Sequence, residues 1–172
     1  MRIKINRGLD IPLAGEPKQS VYPTVPVRRV AVCGLDYPGL KPRLQVAEGD
    51  RVGPLDALFI DKRDPAVQYC APGSGKVIAI NRGDRRVLHT VVVELDDPKA
   101  EYALFDALSQ EQFEHLQQQE IVDRLLQTGL WTSFRTRPFS QVPRSDSTPR
   151  AIFVTAMDTR PLAPDPKVAI GL

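Results

Sequence analysis

Between residues 27 and 95 the apolar positions come in short runs, broken at even intervals by turn signals. "VRRVAVCG" (27–34) is β-branched, short and closed by glycine, which reads as a strand. "GLKPRLQVAEGDRVGPLDALFI" (39–60) holds short strands punctuated by Gly49-Asp50 and Gly53-Pro54. In "AVQYCAPGSGKVIAINRGDRRVLHTVVVEL" (66–95), Val77–Ile80 and Thr90–Leu95 read as strands flanking a turn-rich stretch at Asn81–Arg85. Strands this short and this regular predict a small all-β sandwich or barrel over residues 25–100. Residues 1–24 form an arm ahead of it, with a weakly alternating strand at "RIKI" before Gly8, Pro12, Gly15 and Pro17.

The period then changes. "SQEQFEHLQQQEIVDRLLQTGLW" (109–131) reads as one helix. Ser109 with Gln112 makes a capping-box start. Ile121, Val122, Leu125 and Leu126 supply an apolar face, and Gly129 an end. "RTRPFSQVPRSDSTPR" (135–150) is a basic, proline-rich connection, so residues 101–150 are expected to be helix plus linker. "AIFVTAMD" (151–158) is a near-continuous apolar run, as expected of a strand buried on both faces. Such a strand needs neighbours on both sides. Residues 151–172 are therefore expected to be the truncated start of an α/β domain. The fold class expected is α+β.

Composition narrows the function classes. Lys and Arg number 23 against 21 acidic residues, a net charge of +2, and the basic residues form no single block; nucleic acid is not an expected partner. Sixteen prolines favour turns and strand edges over a helical bundle. Cys33 and Cys70 lie far apart among strand-like residues and read as reduced thiols, not a disulfide framework. His89 and His115 have no cysteine nearby, so no zinc or iron–sulfur spacing exists. No apolar run approaches the ~20 residues that cross a bilayer. The expectation is a soluble chain that meets a membrane only through a partner.

One motif raises a chemical question. In "DKRDPAVQYCAPGSGKV" (61–77) a lysine precedes a turn and an AP-x-x-G step follows. With Gly49-Asp50-Arg51-Val52 and the turn at Asn81–Arg86, this resembles the biotinyl/lipoyl-like barrel-sandwich hybrid. Glycine accepts the positive φ of such turns and aspartate bonds back to their backbone. Biotin carriers need Met-Lys-Met, which is absent, and Asp-Pro places the expected hairpin tip at Arg63-Asp64-Pro65. Lys62 then lies on the shoulder and reads as a solvated strand-end charge, with a carrier domain modified on Lys62 as the alternative. "GSGKV" (73–77) lacks the first glycine and the Ser/Thr of a phosphate loop and leads into a strand, so it is not one.

Further stretches carry a closer resemblance. "IKINRGLDIPLAGEP", "INRGDRRVLHTVVVEL", "TGLWTSFRTRPFSQVP" and "AIFVTAMDTRPLAPDP" together resemble, in order, the N-terminal part of the A subunits of the sodium-translocating NADH:quinone oxidoreductases. That resemblance implies a peripheral protein on the cytoplasmic face of the bacterial inner membrane, within a six-subunit complex that couples NADH oxidation and ubiquinone reduction to sodium export. It implies that FAD, FMN, riboflavin and iron–sulfur centres belong to or between other subunits, and that this piece is structural and quinone-side, inactive alone. Flavin-bearing relatives of these proteins carry a glycine-rich loop where this chain has Gly129 to Phe139. Only Gly129 survives, and Trp131, Phe134 and Phe139 fill a loop that would have to be nearly bare; no flavin mononucleotide pocket is expected here.

The candidate contacts follow. Trp131, Phe134 and Phe139 either wall a quinone pocket or anchor the linker to its neighbour. Arg135, Arg137 and Arg144 either hold a partner's carboxylates or form a solvated linker. Asp158 ends the expected strand, and His89 has no visible partner and is read as structural. No catalytic residue, metal ligand or covalent cofactor site is assigned.

Overall fold

The structure, a computed structural model, describes residues 13–23, 25–96, 108–155, 160 and 162–170. It divides into two compact units, residues 26–148 and residues 1–25 with 149–172.

The larger unit is built from seven antiparallel strands: β1 (Arg29–Cys33), β2 (Pro42–Leu44), β3 (Arg51–Val52), β4 (Ala57–Asp61), β5 (Asp64–Cys70), β6 (Gly75–Arg82) and β7 (Leu88–Leu95). One sheet runs β1-β7-β6-β3 and the other β2-β4-β5. Alternation along β7 explains the layering: Leu88, Val91 and Val93 are buried while His89 and Glu94 are exposed. In the facing sheet Leu58, Phe59, Val67 and Tyr69 are buried. Each such side chain, fully buried, contributes on the order of 1.5–3 kcal/mol. Tyr69 stacks on Phe59 with ring centroids 4.7 Å apart and meets Tyr37 edge-on at 4.6 Å.

The Gly49-Asp50 turn behaves as expected, with Gly49 at φ 98°, whereas in the Asn81–Arg86 turn the positive φ falls on Arg85 and Arg86 and not on Gly83. Asp50 accepts the Ala47 amide at 2.8 Å, and Asp56 accepts the Gly53 amide at 2.7 Å. The hairpin tip differs from expectation. Asp61 pairs with Asp64, so the β4–β5 turn consists of Lys62 and Arg63, and Lys62 sits at the tip, not on the shoulder. The reason is Asp61: it accepts the Arg63 amide at 2.9 Å and the Arg63 guanidinium at 2.7 and 3.2 Å, which folds the chain back before Asp-Pro is reached. Pro65 then lies within β5, where a missing amide hydrogen is tolerated at a sheet edge.

The expected single helix is two: α1 (Gln110–Glu114) and α2 (Gln118–Gln127). The Ser109–Gln112 capping box forms as expected, with both reciprocal bonds present. A second start follows because the Glu120 carboxylate accepts the Gln117 amide at 2.7 Å, satisfying a helix-end donor inside the same apolar pattern. Val122, Leu125 and Leu126 pack on the core, while Ile121 stays 38% exposed.

In the smaller unit, residues 151–155 form no strand and are exposed; Phe153 and Val154 are 90% and 88% accessible. An apolar run becomes a strand only where partner backbones take up its amides and carbonyls, and none of the described residues does so here. Residues 156–159, with Asp158, and the "RIKI" segment fall outside the described residues. A short helix, α3 (Pro166–Ile170), follows. Asp165 donates its amide to the Gln19 side chain at 2.9 Å, which ties the two halves of this unit together.

Candidate functional site

Gly129 closes α2 at φ 71°, the left-handed region, and the 3-10 turn Leu130–Ser133 then drives Trp131 inward. Trp131 is 8% exposed. Its indole Nε1–H donates to the Pro143 carbonyl at 2.9 Å, and Phe134 meets it edge-on with centroids 5.5 Å apart. Trp131 belongs to the β-domain core, and Phe134, partly buried, packs against it. The loop between them and Pro143 is tied off by Gln141, whose carbonyl accepts the Thr136 amide at 2.8 Å and its hydroxyl at 3.0 Å.

The expected residues therefore part company. Trp131 and Phe134 come together as an anchor, whereas Phe139 is 75% exposed and Arg137 is exposed as well. Arg135 turns back: its guanidinium lies 5.0 Å from the Tyr37 ring centroid and donates to the Phe134 carbonyl at 3.0 Å and to that of Thr132. Arg144 is held by Asp146, with two bonds of 3.0 Å. His89 packs its ring against the backbone of Gly83.

A clasp joins this connection to the β4–β5 hairpin. Asp64 accepts the Ser145 amide at 2.6 Å and the Ser145 hydroxyl at 3.0 Å, across 81 residues of chain. Beside the clasp lies a small cavity of about 190 Å³ bordered by Asp61, Arg63, Tyr69 and Arg144. Burial would raise the Asp61 carboxyl, but the bonds and charge of Arg63 outweigh it and hold Asp61 below the usual carboxylate range. Burial, then the nearby Asp61 and Tyr37, pushes the Tyr69 phenol above its ordinary range. These shifts favour the carboxylate at Asp61 and the neutral phenol at Tyr69. Residue-by-residue reading missed the clasp, since a lone aspartate and a lone serine so far apart leave no local signal.

Among the described residues there is no cluster of three His, Cys, Asp or Glu side chains able to hold a metal, and no helix long and apolar enough to cross a membrane. Comparison with known families places the fold: residues 3–96 match the model of the NqrA N-terminal barrel-sandwich hybrid domain. The chain belongs to the NqrA family. Residues 116–172 match the NqrA second alpha/beta domain. The A subunit of the Na(+)-translocating NADH-quinone reductase of Pseudomonas aeruginosa (strain UCBPP-PA14) is 53% identical over 170 residues, which is 98% of this chain and 38% of that protein. The corresponding proteins of Saccharophagus degradans and Yersinia pseudotuberculosis serotype O:1b are each 48% identical over 169 residues, 98% of this chain and 37% of theirs. The chain thus spans a little over a third of the length of these relatives. In this NqrA-family chain the second family model begins at residue 116, ahead of α2 and Trp131. Yet both pack into the core formed by the first.

Proposed function

We propose that the chain supplies the N-terminal, quinone-side architecture of the NqrA component of a sodium-translocating NADH–quinone reductase, and that it turns over no substrate alone. The observation that carries this reading is near-50% identity along 98% of the chain to proteins bearing that name. In this reading the chain is peripheral on the cytoplasmic face of the membrane, and its partners are the other members of a six-subunit complex. NADH, FAD, FMN, riboflavin and iron–sulfur centres work in or between those partners, and ubiquinone is reduced by the assembly. Within the segment, Trp131 and Phe134 fix the backbone from which Phe139, Arg135 and Arg137 contact a partner or the quinone. The exposure of both Phe139 and Arg137, two residues apart, supports that role. Photo-crosslinking of an azido-ubiquinone to the assembled complex, followed by peptide mapping, tests it. Label on the peptide spanning residues 131–139 is expected; label confined to other components, or to NqrA outside this peptide, ends the quinone role.

One observation favours a second reading. Lys62 is exposed at the hairpin tip, the place from which carrier domains present a modified lysine. An intact mass after coexpression with lipoyl and biotinyl ligases separates the two: an unmodified mass eliminates the carrier.

A further inference from the structure

A second recess of the 26–148 unit, with a volume of about 860 Å³, lies between the loop after β1, strand β2, the β4–β5 tip and the β6–β7 turn. Six cations line it: Lys41, Arg43, Lys62, Arg82, Arg85 and Arg86. No acidic residue is among its walls. None of the six makes a salt bridge among the described residues, whereas Arg29, Arg51, Arg63 and Arg144, elsewhere, each do. Like charges that share one recess with no acidic wall residue repel one another, so this arrangement does not serve the fold.

The backbone gives an independent sign. Arg85 and Arg86 stand consecutively in the left-handed region, at φ 54° and 62°. Each such residue costs on the order of 1 kcal/mol or more, and glycine or asparagine would remove most of that cost. The β6–β7 turn therefore holds two arginine side chains at the recess by a strained route, a pattern characteristic of binding sites. Between the cations lies apolar surface: Leu35 is 63% and Val87 44% exposed, both within the recess.

We propose that this recess docks an extended acidic segment of a partner polypeptide, with carboxylates reaching the arginine and lysine heads and an apolar side chain between them covering Leu35 and Val87. Guanidinium groups take carboxylates in bidentate pairs. A single inorganic anion would engage two or three of the cations and leave the apolar floor wet. A flat headgroup layer would not follow a concave wall. The proposal stands whether or not the chain enters the respiratory assembly.

The test measures fluorescence anisotropy of a labelled twelve-residue peptide of alternating Glu and Leu against the 172-residue chain, beside sedimentation with phosphatidylglycerol vesicles. Binding is expected to weaken by at least about tenfold between 20 mM and 300 mM salt. It is expected to weaken by about tenfold or more in the double variant Lys41→Glu/Arg43→Glu, and to hold in Lys76→Glu, whose exposed charge lies on β6 outside the recess. Arg85→Gly carries the sharpest expectation: it relaxes the backbone and removes a charge, so the melting temperature rises while peptide affinity falls. A drop in affinity that is equal in Lys76→Glu and the recess variants would reduce the effect to net charge and overturn the proposal. So would vesicle binding without peptide binding, which would assign the recess to a membrane surface, or no binding of either.

Discussion

At the scale of single residues, Gly75 shows why the AP-x-x-G step is spelled as it is. A Cβ there would sit 2.0 Å from the Glu94 carbonyl oxygen, so β6 reaches its register with β7 only without a side chain. The step is a packing requirement and says nothing about covalent modification. Cys70 makes a second residue-scale case. Its sulfur lies against Gly129, and burial, with a smaller effect from Asp56, pushes its thiol up to about 11. The folded state thus favours the neutral thiol. This stabilisation is complete below the ordinary thiol range near 9 and is lost as pH rises through about 11. Thermal melts of wild type are expected to fall between pH 9 and 11 more steeply than those of Cys70→Ala. The difference between them isolates the thiol from Tyr69, which burial also pushes up. Parallel curves would show that Cys70 titrates as if unfolded.

At the scale of elements, the connection 135–148 has almost no regular structure and is nonetheless held by three sets of bonds, of which the last reaches the hairpin. These are the Trp131 indole on Pro143, the paired bonds at Gln141, and the Asp64–Ser145 clasp. Asp64→Ala removes the acceptors for a half-buried amide and a hydroxyl together, at an expected cost of about 1–3 kcal/mol in urea unfolding. Proteolysis within residues 135–148 is expected to quicken in the same variant. Unchanged cleavage would mean that the Trp131 and Gln141 bonds suffice to order the connection. Local patterning foretold the strands of the β-domain, the capping box at Ser109 and the Gly129 terminus, because each depends on neighbours within about four residues. It misplaced the hairpin tip by favouring Asp-Pro, since the bonds from Arg63 to Asp61 that close the turn earlier are a side-chain choice that turn statistics do not include.

At the scale of the molecule, the boundary between family domains and the boundary of packing do not coincide. The second family model begins at residue 116, but the compact unit runs to residue 148 because α2 and Trp131 complete the core of the first. A chain of residues 26–96 is therefore expected to be less stable than one of residues 26–148. Loss of a buried tryptophan alone costs about 3–5 kcal/mol. Denaturant midpoints with ANS fluorescence test this, and equal midpoints would make the strands self-sufficient.

Turns, periodicity and motif order are carried by residues close together in the chain, so the strand-and-turn grammar, the Ser109 cap and the family could be read before any fold was seen. Trp131 and Phe134 were legible as a pair of alternatives, pocket or anchor, and packing placed Trp131 in the core with Phe134 against it while leaving Phe139 outside. Three features waited for the closed sheets: Lys62 standing at a tip, Asp64 meeting Ser145, and cations from residues 41 to 86 sharing one recess. Each depends on which side chains win the competition for a partner once the chain has folded back on itself, and spacing along a chain does not encode that outcome.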